Sequence, residues 1–265
     1  MERYGESLSI AGLSTGYRDR RIVQGLTLPA VAPGTVLSLI GPNAAGKTTL
    51  LRALAGLLAA EGSVRLGDRD LVGMALESRA RLVTYMPQSL PQRVALTVLE
   101  AVIGAERASA VDRDEADRLA IVERAMDVIE RVGIGHLAMT GLDHLSGGQR
   151  QLASLAQALV RTPRVLLLDE PISALDLHYQ LKVMKLVHAL SRERGMIVIM
   201  VLHDLAIAAR WSDRVVVLSN GAVAADGPPA EAISAEVLAQ VYKVAARVTP
   251  QPSGLQIDIE DTLPL

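Results

Sequence analysis

Three short segments of this sequence combine residue types that bind phosphate or act on it. The first, GPNAAGKTT at residues 41–49, has the spacing G-x-x-x-x-G-K-[ST], with Gly41, Gly46, Lys47 and Thr48 in the defining positions. In such a loop the backbone N–H groups and a helix N-terminus face the phosphates, the lysine bridges the β and γ oxygens, and the hydroxyl can ligate Mg²⁺. This spacing predicts a nucleotide site, and the alternative is a glycine turn that merely precedes a helix.

An acidic pair forms the second segment. Asp169 and Glu170 follow directly after the apolar run 165–168, where an open α/β sheet places its ligands. Asp169 suits coordination of Mg²⁺, and Glu170 suits polarising the water that attacks a γ-phosphate. A strand followed by a solvated acidic turn is the alternative. A phosphate loop on the same chain favours the catalytic interpretation, because such a site needs a carboxylate near its metal.

The third segment is LSGGQ at 145–149, which precedes a helical stretch at 150–161. A glycine loop at a helix N-terminus can hold an anion. This loop has no lysine and no metal-binding carboxylate of its own, so a second chain could supply the rest of such a half-site. The alternative is an N-capped helix with Ser146 as its cap.

The secondary structure around these three segments sets their relative positions. Strands are predicted at 8–13, 22–28, 36–40, 82–86, 165–168, 197–202 and 215–218, from β-favouring residues between Gly and Pro breaks. Helices are predicted at 48–60, 112–132, 176–194 and 228–242 from apolar residues at helical spacing. Strand signals vanish between about 91 and 159. The pattern therefore predicts an α/β fold with a helical insertion.

Composition excludes several classes of protein. Of the 265 residues 50% are hydrophobic, yet no run approaches the roughly 20 apolar residues of a membrane span. The first ten residues lack the features of a secretion signal and cysteine is absent, so the chain is expected in the cytoplasm. A net charge of −2 and an aromatic content of 2% argue against nucleic acid as a partner.

Together the three segments resemble the nucleotide-binding subunit of ATP-binding cassette (ABC) transporters, and the likeness covers nearly the full length. LSGGQ is similar to that family's signature motif, and its combination with GPNAAGKTT and LLLDEP is specific. The resemblance implies a P-loop NTPase core, which has a mostly parallel sheet with flanking helices, an N-terminal antiparallel β subdomain and a helical insertion. It also implies a head-to-tail homodimer in which each signature loop caps the ATP on the partner's phosphate loop. ATP and Mg²⁺ are the implied cofactors.

The resemblance assigns site residues by position. On the phosphate loop the expected ATP contacts are Gly41, Pro42, Asn43, Ala44, Ala45, Gly46, Lys47, Thr48 and Thr49. From the signature loop of the other copy they are Ser146, Gly147, Gly148 and Gln149. Metal contacts are expected from Thr48, Gln88 and Asp169, and catalytic roles are expected for Glu170, His203 and Gln88.

Four of the expected positions lie outside the three segments. Gln88 in YMPQS looks like the Q-loop glutamine, although it could be an exposed loop residue. His203 after IVIMVL looks like the switch histidine that contacts the γ-phosphate, and the alternative is a structural histidine. Asp176 in SALD looks like the D-loop residue at the dimer interface, or else only the N-cap of a helix. Tyr17 in LSTGYRDR looks like the aromatic residue that stacks on adenine, unless it packs in the core.

Two positions depart from the family's pattern. Ala44 stands where the family usually has glycine, but the general motif leaves that position free, so nucleotide binding should survive. Ile172 occupies a position often held by a small polar residue.

The resemblance also predicts one domain over residues 1–265. Residues 1–90 and 160–250 are expected to form the α/β core with its β subdomain, and about 91–159 the helical subdomain. Residues 251–265 are expected to be a loosely held tail because they are rich in Pro and acidic residues. A surface for a membrane partner is expected near 88–104.

The region from DEPISALDLHYQ through GPPAEAI resembles importers of iron chelates such as siderophores or haem. Cobalamin or an oxyanion is the alternative solute. The implied partners are integral membrane permease subunits and, indirectly, a substrate-binding protein, at the inner face of the cell membrane. An ABC ATPase that acts on nucleic acid would need a coiled-coil insert, zinc cysteines, tandem cassettes or basic patches, and the sequence shows none of them.

Overall fold

A computed structural model of the chain describes residues 5–18, 20–88, 95–108 and 118–264. Its strands are β1 (Leu8–Tyr17), β2 (Arg20–Val31), β3 (Val36–Ile40), β4 (Ala60–Leu66), β5 (Arg69–Asp70), β6 (Val83–Met86), β7 (Val165–Asp169), β8 (Ile197–Val201), β9 (Arg214–Ser219), β10 (Ala222–Gly227), β11 (Val244–Gln251) and β12 (Gly254–Thr262). Its helices are α1 (Lys47–Leu54), α2 (Leu76–Ala80), α3 (Val98–Arg107), α4 (Arg118–Val132), α5 (Gly147–Val160), α6 (Leu177–Arg194), α7 (Leu205–Trp211), α8 (Pro229–Ala232) and α9 (Ala235–Val237).

A six-stranded sheet with the order β10-β9-β3-β8-β7-β6 forms the centre of the fold. Strands β9, β3, β8, β7 and β6 run parallel, and β10 pairs antiparallel with β9. Every residue of β3, β7 and β8 is buried. The short continuous apolar runs in the sequence are therefore strands covered on both faces, as the fold prediction required.

Side chains of the central strands alternate between two buried clusters. On β7, Val165 and Leu167 belong to one cluster, and Leu166 and Leu168 belong to the other. The first cluster includes α1 and the antiparallel sheet β2-β1-β4-β5, while the second includes residues of α3 to α7. The central sheet is thus the middle one of three layers. This arrangement confirms the predicted α/β class with its N-terminal antiparallel β subdomain and helical insertion.

The parallel strands bring distant segments to one edge of the sheet. The phosphate loop follows β3, Gln88 follows β6, Glu170 follows β7 and His203 follows β8. Because carboxyl ends of parallel strands lie at the same edge, residues more than 100 positions apart in sequence become neighbours there.

The C-terminal segment differs from the prediction. Composition predicts a loosely held tail at 251–265, but β12 pairs with β11 from Val244↔Thr262 to Gln251↔Gly254. The reason is a period-two alternation of apolar residues, in which Leu255 and Ile257 pack against the helical cluster. Gln256, Asp258 and Glu260 alternate with the apolar residues, are exposed and obscure this pattern.

Two predicted helices also differ in extent. The helix predicted at 48–60 ends at Leu54, and residues from Ala60 form β4. The helix predicted at 228–242 is broken into α8, α9 and a π-helical turn at Leu238–Tyr242, because the Ser234 side chain caps a new helix by accepting from the N–H of Val237.

Parts of two other predictions lie outside the described residues. These are 112–117 of the predicted helix at 112–132 and 89–94 of the predicted membrane-partner surface at 88–104. Among the helices of the described ranges, none has the length and apolar content needed to cross a membrane.

Candidate functional site

The phosphate loop depends on glycine at two positions. A Cβ added to Gly41 would lie 2.1 Å from the carbonyl oxygen of Leu218, so no larger residue fits there. Gly46 has φ 101° and caps the N-terminus of α1, a conformation that L side chains rarely adopt. The loop therefore wraps tightly around the start of α1, whose free N–H groups face the loop's concave side.

Lys47 is held inside this loop. It is 6% exposed, and its Nζ donates hydrogen bonds to the carbonyl oxygens of Gly41 at 2.6 Å and Pro42 at 2.8 Å. Burial lowers the pKa of Lys47, and the charges of Glu170 and Asp169 act in the opposite direction. The loop carbonyls keep the buried ammonium satisfied at a position from which it can reach phosphate oxygens.

Asp169 lies at the end of β7 with both carboxylate oxygens engaged. Thr48 Oγ1 donates to Oδ1 at 3.0 Å, and the Tyr85 hydroxyl donates to Oδ2 at 2.9 Å. Burial raises the pKa of Asp169, while these two hydrogen bonds lower it. A hydroxyl beside a carboxylate is a donor set that suits Mg²⁺, which binds few protein oxygens and takes its other ligands from phosphates and water.

Sequence analysis did not predict two residues near Asp169, namely Tyr85 and Arg52. Arg52 Nη1 donates to the Tyr17 hydroxyl at 3.0 Å, and hydrogen bonding to Tyr85 and Tyr17 raises the pKa of Arg52. Arg52 follows Thr48 by four residues, so both lie on the same face of α1, and Tyr85 stands three residues before Gln88. Those spacings are the only signals in the sequence that could have suggested their roles.

The Glu170 carboxylate lies between two other predicted site residues, Gln88 and His203. Its Oε2 accepts from Gln88 Nε2 at 2.6 Å, and its Oε1 lies 2.6 Å from His203 Nε2. These side chains come from the ends of β7, β6 and β8, and they converge beside the phosphate loop. A carboxylate held on both oxygens in this way is oriented to accept a proton from a water molecule next to it.

One cavity of about 430 Å³ gathers most of the predicted nucleotide contacts. Its lining residues are Tyr17, Arg20, Ile22, Asn43, Ala44, Ala45, Gly46, Lys47, Thr48, Thr49, Glu170 and His203. Tyr17 is 42% exposed at the rim of this cavity, so it does not pack in the core. The lining combines an aromatic ring with the phosphate loop and Glu170.

A second cavity of about 470 Å³ is lined by Ser146, Gly147, Gly148, Gln149 and Asp176, among others, and it shares no lining residue with the first. Ser146 and Gln149 form a capping box at the start of α5. Asp176 caps α6 by accepting from the N–H of Tyr179 at 3.0 Å. The helix-cap interpretations of Ser146 and Asp176 are therefore correct, and both residues still face an open cavity.

Comparison with known proteins identifies the family. The ABC transporter family model matches residues 26–173, which is more than half of the chain. The hemin import ATP-binding protein HmuV of Bordetella avium is 37% identical over 254 residues, covering 93% of this chain and 95% of that protein.

Solved structures share the fold. A transporter described as an ABC transporter of the metal-chelate type, in an inward-facing conformation, aligns with a TM-score of 0.78 at 23% identity and covers 97% of both chains. A dimeric ATP-binding cassette in a post-hydrolysis state with ADP and Pi aligns with a TM-score of 0.76 at 24% identity, over 84% of this chain and 99% of that one. With the family match, the relative and the site in agreement, the chain belongs to the ABC transporter family as an ATP-binding, ATP-hydrolysing subunit.

Proposed function

We propose that two copies of this chain bind Mg-ATP between them and that its hydrolysis drives a membrane importer for an iron chelate, with haem as the first candidate. The observation that carries the proposal is the division of the predicted contacts between two cavities that share no residue. A glycine loop at the N-terminus of α5 that faces open space suits an anion, but the lysine and the acidic pair belong to the other cavity. A second copy supplies what each half lacks.

The chemistry follows from the contacts. Lys47 and the N-terminus of α1 bind the β and γ phosphates, and Tyr17 stacks on the adenine ring. Glu170 orients and polarises the attacking water while Gln88 and His203 hold its two carboxylate oxygens, each at 2.6 Å. Thr48, Asp169 and Gln88 would hold Mg²⁺, whose charge offsets that of the phosphates. Ser146 to Gln149 and Asp176 of the other copy close the site against water.

Transport is proposed from the relatives. A relative named for hemin import aligns over nearly the whole chain, which favours an importer and, among its solutes, haem. The partners would be permease subunits and, through them, a substrate-binding protein. The chain would then act at the inner face of the cell membrane. ATP binding favours the closed pair, closure moves the permease, and hydrolysis reopens the pair.

Glu170→Gln tests the catalytic part. We expect hydrolysis to fall by at least about 100-fold, because the amide cannot accept the proton from water, while ATP still binds and stabilises the dimer. The ATPase turnover rate checks the loss of hydrolysis, and light scattering in the presence of ATP checks that the dimer still forms. Glu77→Gln, at an exposed position on α2, is the matched control and should behave as wild type. Retained hydrolysis in Glu170→Gln would remove Glu170 from its role.

The solute is tested in the host. Deletion of the coding sequence should abolish growth on haem as the sole iron source and leave growth on ferrous salt intact. If the deletion abolishes growth on a ferric siderophore and not on haem, the proposed solute becomes the siderophore. Growth of the deletion strain on both iron sources would contradict iron-chelate import.

A further inference from the structure

Gln151 is a buried polar residue on α5 that the function above does not use. It lies in the second turn of the helix that begins at the signature loop, and it is 5% exposed. Buried polar side chains are retained where their hydrogen bonds are satisfied, so its partners indicate its role.

Both ends of the Gln151 amide bind the segment that follows β7. Nε2 donates to the backbone oxygen of Glu170 at 2.6 Å, and Oε1 accepts from the backbone N–H of Ala174 at 3.0 Å. A backbone N–H can only donate and a carbonyl can only accept, so these two contacts determine which end of the amide is oxygen. Gln151 therefore joins the helix of the signature loop to the main chain of Glu170.

Glu170 needs this support because its backbone is strained. Its φ is +52°, in the left-handed region, which is unfavourable for a residue with a Cβ and persists only where the surroundings hold it. Besides Gln151, the Ser173 hydroxyl donates to the same carbonyl oxygen at 3.2 Å. The direction of the Glu170 carboxylate, which lies between Gln88 and His203, depends on this conformation.

We propose that Gln151 is a positioning residue that couples the signature loop to Glu170 of the same subunit. A nucleotide gripped by that loop belongs to one half-site, whereas Glu170 serves the other. Helix α5 connects the signature loop to Gln151 within two turns. A shift of the loop when nucleotide binds therefore moves Gln151 and its hydrogen bond to the Glu170 carbonyl. Occupation of one half-site thereby adjusts hydrolysis at the other. This inference rests on the proposed function, since it requires a site shared by two copies.

Gln151→Glu removes the hydrogen bond to Glu170 at nearly unchanged side-chain size, and Gln151→Met removes it without adding a buried charge. The new carboxylate can still accept from Ala174 but cannot donate to the Glu170 carbonyl. Gln157→Glu is the matched control, because Gln157 lies on the same helix and donates within it to the carbonyl of Ala153 at 3.5 Å. The purified full-length proteins are compared by ATPase rate against ATP concentration and by affinity for a fluorescent ATP analogue.

We expect Gln151→Glu to keep its nucleotide affinity within about twofold and to lose about tenfold in maximal rate, since only the support of the catalytic carboxylate is weakened. The proposed coupling predicts a sigmoidal dependence on ATP concentration in the wild type, and a hyperbolic wild-type curve would overturn it. The dependence should become hyperbolic in Gln151→Glu, while Gln157→Glu retains the wild-type curve. An unchanged rate and curve in Gln151→Glu would overturn the inference.

One further variant separates coupling between the half-sites from a general loosening of the turn after β7. Ser173→Ala weakens the same support, because it removes the hydroxyl that donates to the Glu170 carbonyl at 3.2 Å, and Ser173 lies in the turn itself and not on a helix that begins at the second cavity. An equal loss of sigmoidal behaviour there would also overturn the inference. If Gln151→Glu does not fold, Gln151→Met is measured against the same two criteria. A wild-type protein without ATPase activity would instead overturn the proposed function.

Discussion

Ala44 is an alanine in a left-handed conformation within the phosphate loop. Its φ is +63°, and it is exposed, so no packing compensates for the strain. A left-handed alanine costs about 1–2 kcal/mol, whereas the flexibility of glycine in the unfolded chain costs about 0.5–1 kcal/mol. Ala44, which stands where the family usually has glycine, therefore has a strained backbone conformation at the site.

Ala44→Gly should accordingly stabilise the protein by up to about 1 kcal/mol, because the relief of strain exceeds the added chain entropy. Urea unfolding measures the change. Ala11→Gly is the matched control: Ala11 is also exposed but lies within β1 and is not in the left-handed region, so the same replacement should destabilise by about 0.5–1 kcal/mol. Changes of the same sign in both variants would contradict the strain argument.

Tyr85 is one of two hydrogen-bond donors that lower the pKa of Asp169. Burial raises the pKa of Asp169 and the Tyr85 hydrogen bond lowers it, so Tyr85→Phe should raise that pKa further. Because the ionised carboxylate is the form that would hold Mg²⁺, ATPase activity of Tyr85→Phe should be lost at a higher pH than in wild type on acidification. A pH–rate profile of kcat measures this shift.

The alkaline limb of the same pH–rate profile serves as an internal control for Tyr85→Phe. Burial raises the pKa of Tyr85 to about 12, so the hydroxyl keeps its proton and continues to donate over the working range. Its removal should therefore leave the alkaline limb in place. Acid limbs that superimpose would show that Tyr85 does not act through Asp169.

At the scale of elements, α1 carries the site and Arg79 holds its other end. Arg79 is 4% exposed, and its guanidinium donates to the carbonyl oxygens of Ala53, Leu54 and Leu71 at 2.7–3.0 Å. Burial lowers the pKa of Arg79. A cation at the C-terminus of α1 complements the helix dipole, whose positive end lies at the N-terminus beside the phosphate loop.

Arg79→Met should destabilise the fold by roughly 3 kcal/mol, because it leaves buried carbonyl groups without donors. Chemical denaturation gives the value. Arg81→Met is the control, since Arg81 is exposed and its ion pair with Glu77 is 4.0 Å long, so the change should stay within about 0.5 kcal/mol. A small effect at Arg79 would mean that water replaces the guanidinium.

At the scale of the whole molecule, the proposed site is complete only in a pair. Lys47→Ala and Ser146→Arg should each abolish hydrolysis alone, because each variant spoils both sites of its own homodimer. A mixed dimer has one site with both changes and one site with neither, so mixing the two variants should restore activity above the sum of the separate samples. The measurement is ATPase activity after mixing, and an additive result would contradict the shared site.

Local sequence patterns were enough to predict the chemistry and the class of fold. The phosphate loop, the acidic pair and LSGGQ are local patterns in which spacing along the chain is enough to predict a function, and the buried strands are local apolar runs. Residue type and spacing alone therefore single out Lys47, Asp169 and Glu170, and the α/β class with its helical insertion is confirmed. The site roles of these three residues stay predictions.

The distant residues that support this chemistry could be identified only from the folded chain. Tyr85 lies 84 positions from Asp169, Gln151 lies 19 from Glu170, and Arg79 lies 25 from Leu54 along the chain. Such contacts depend on strand order and helix packing, which leave no local pattern. The hairpin of β11 and β12 was missed for a related reason: its strands are stabilised by each other and by the helical cluster, and charged residues hide their alternation.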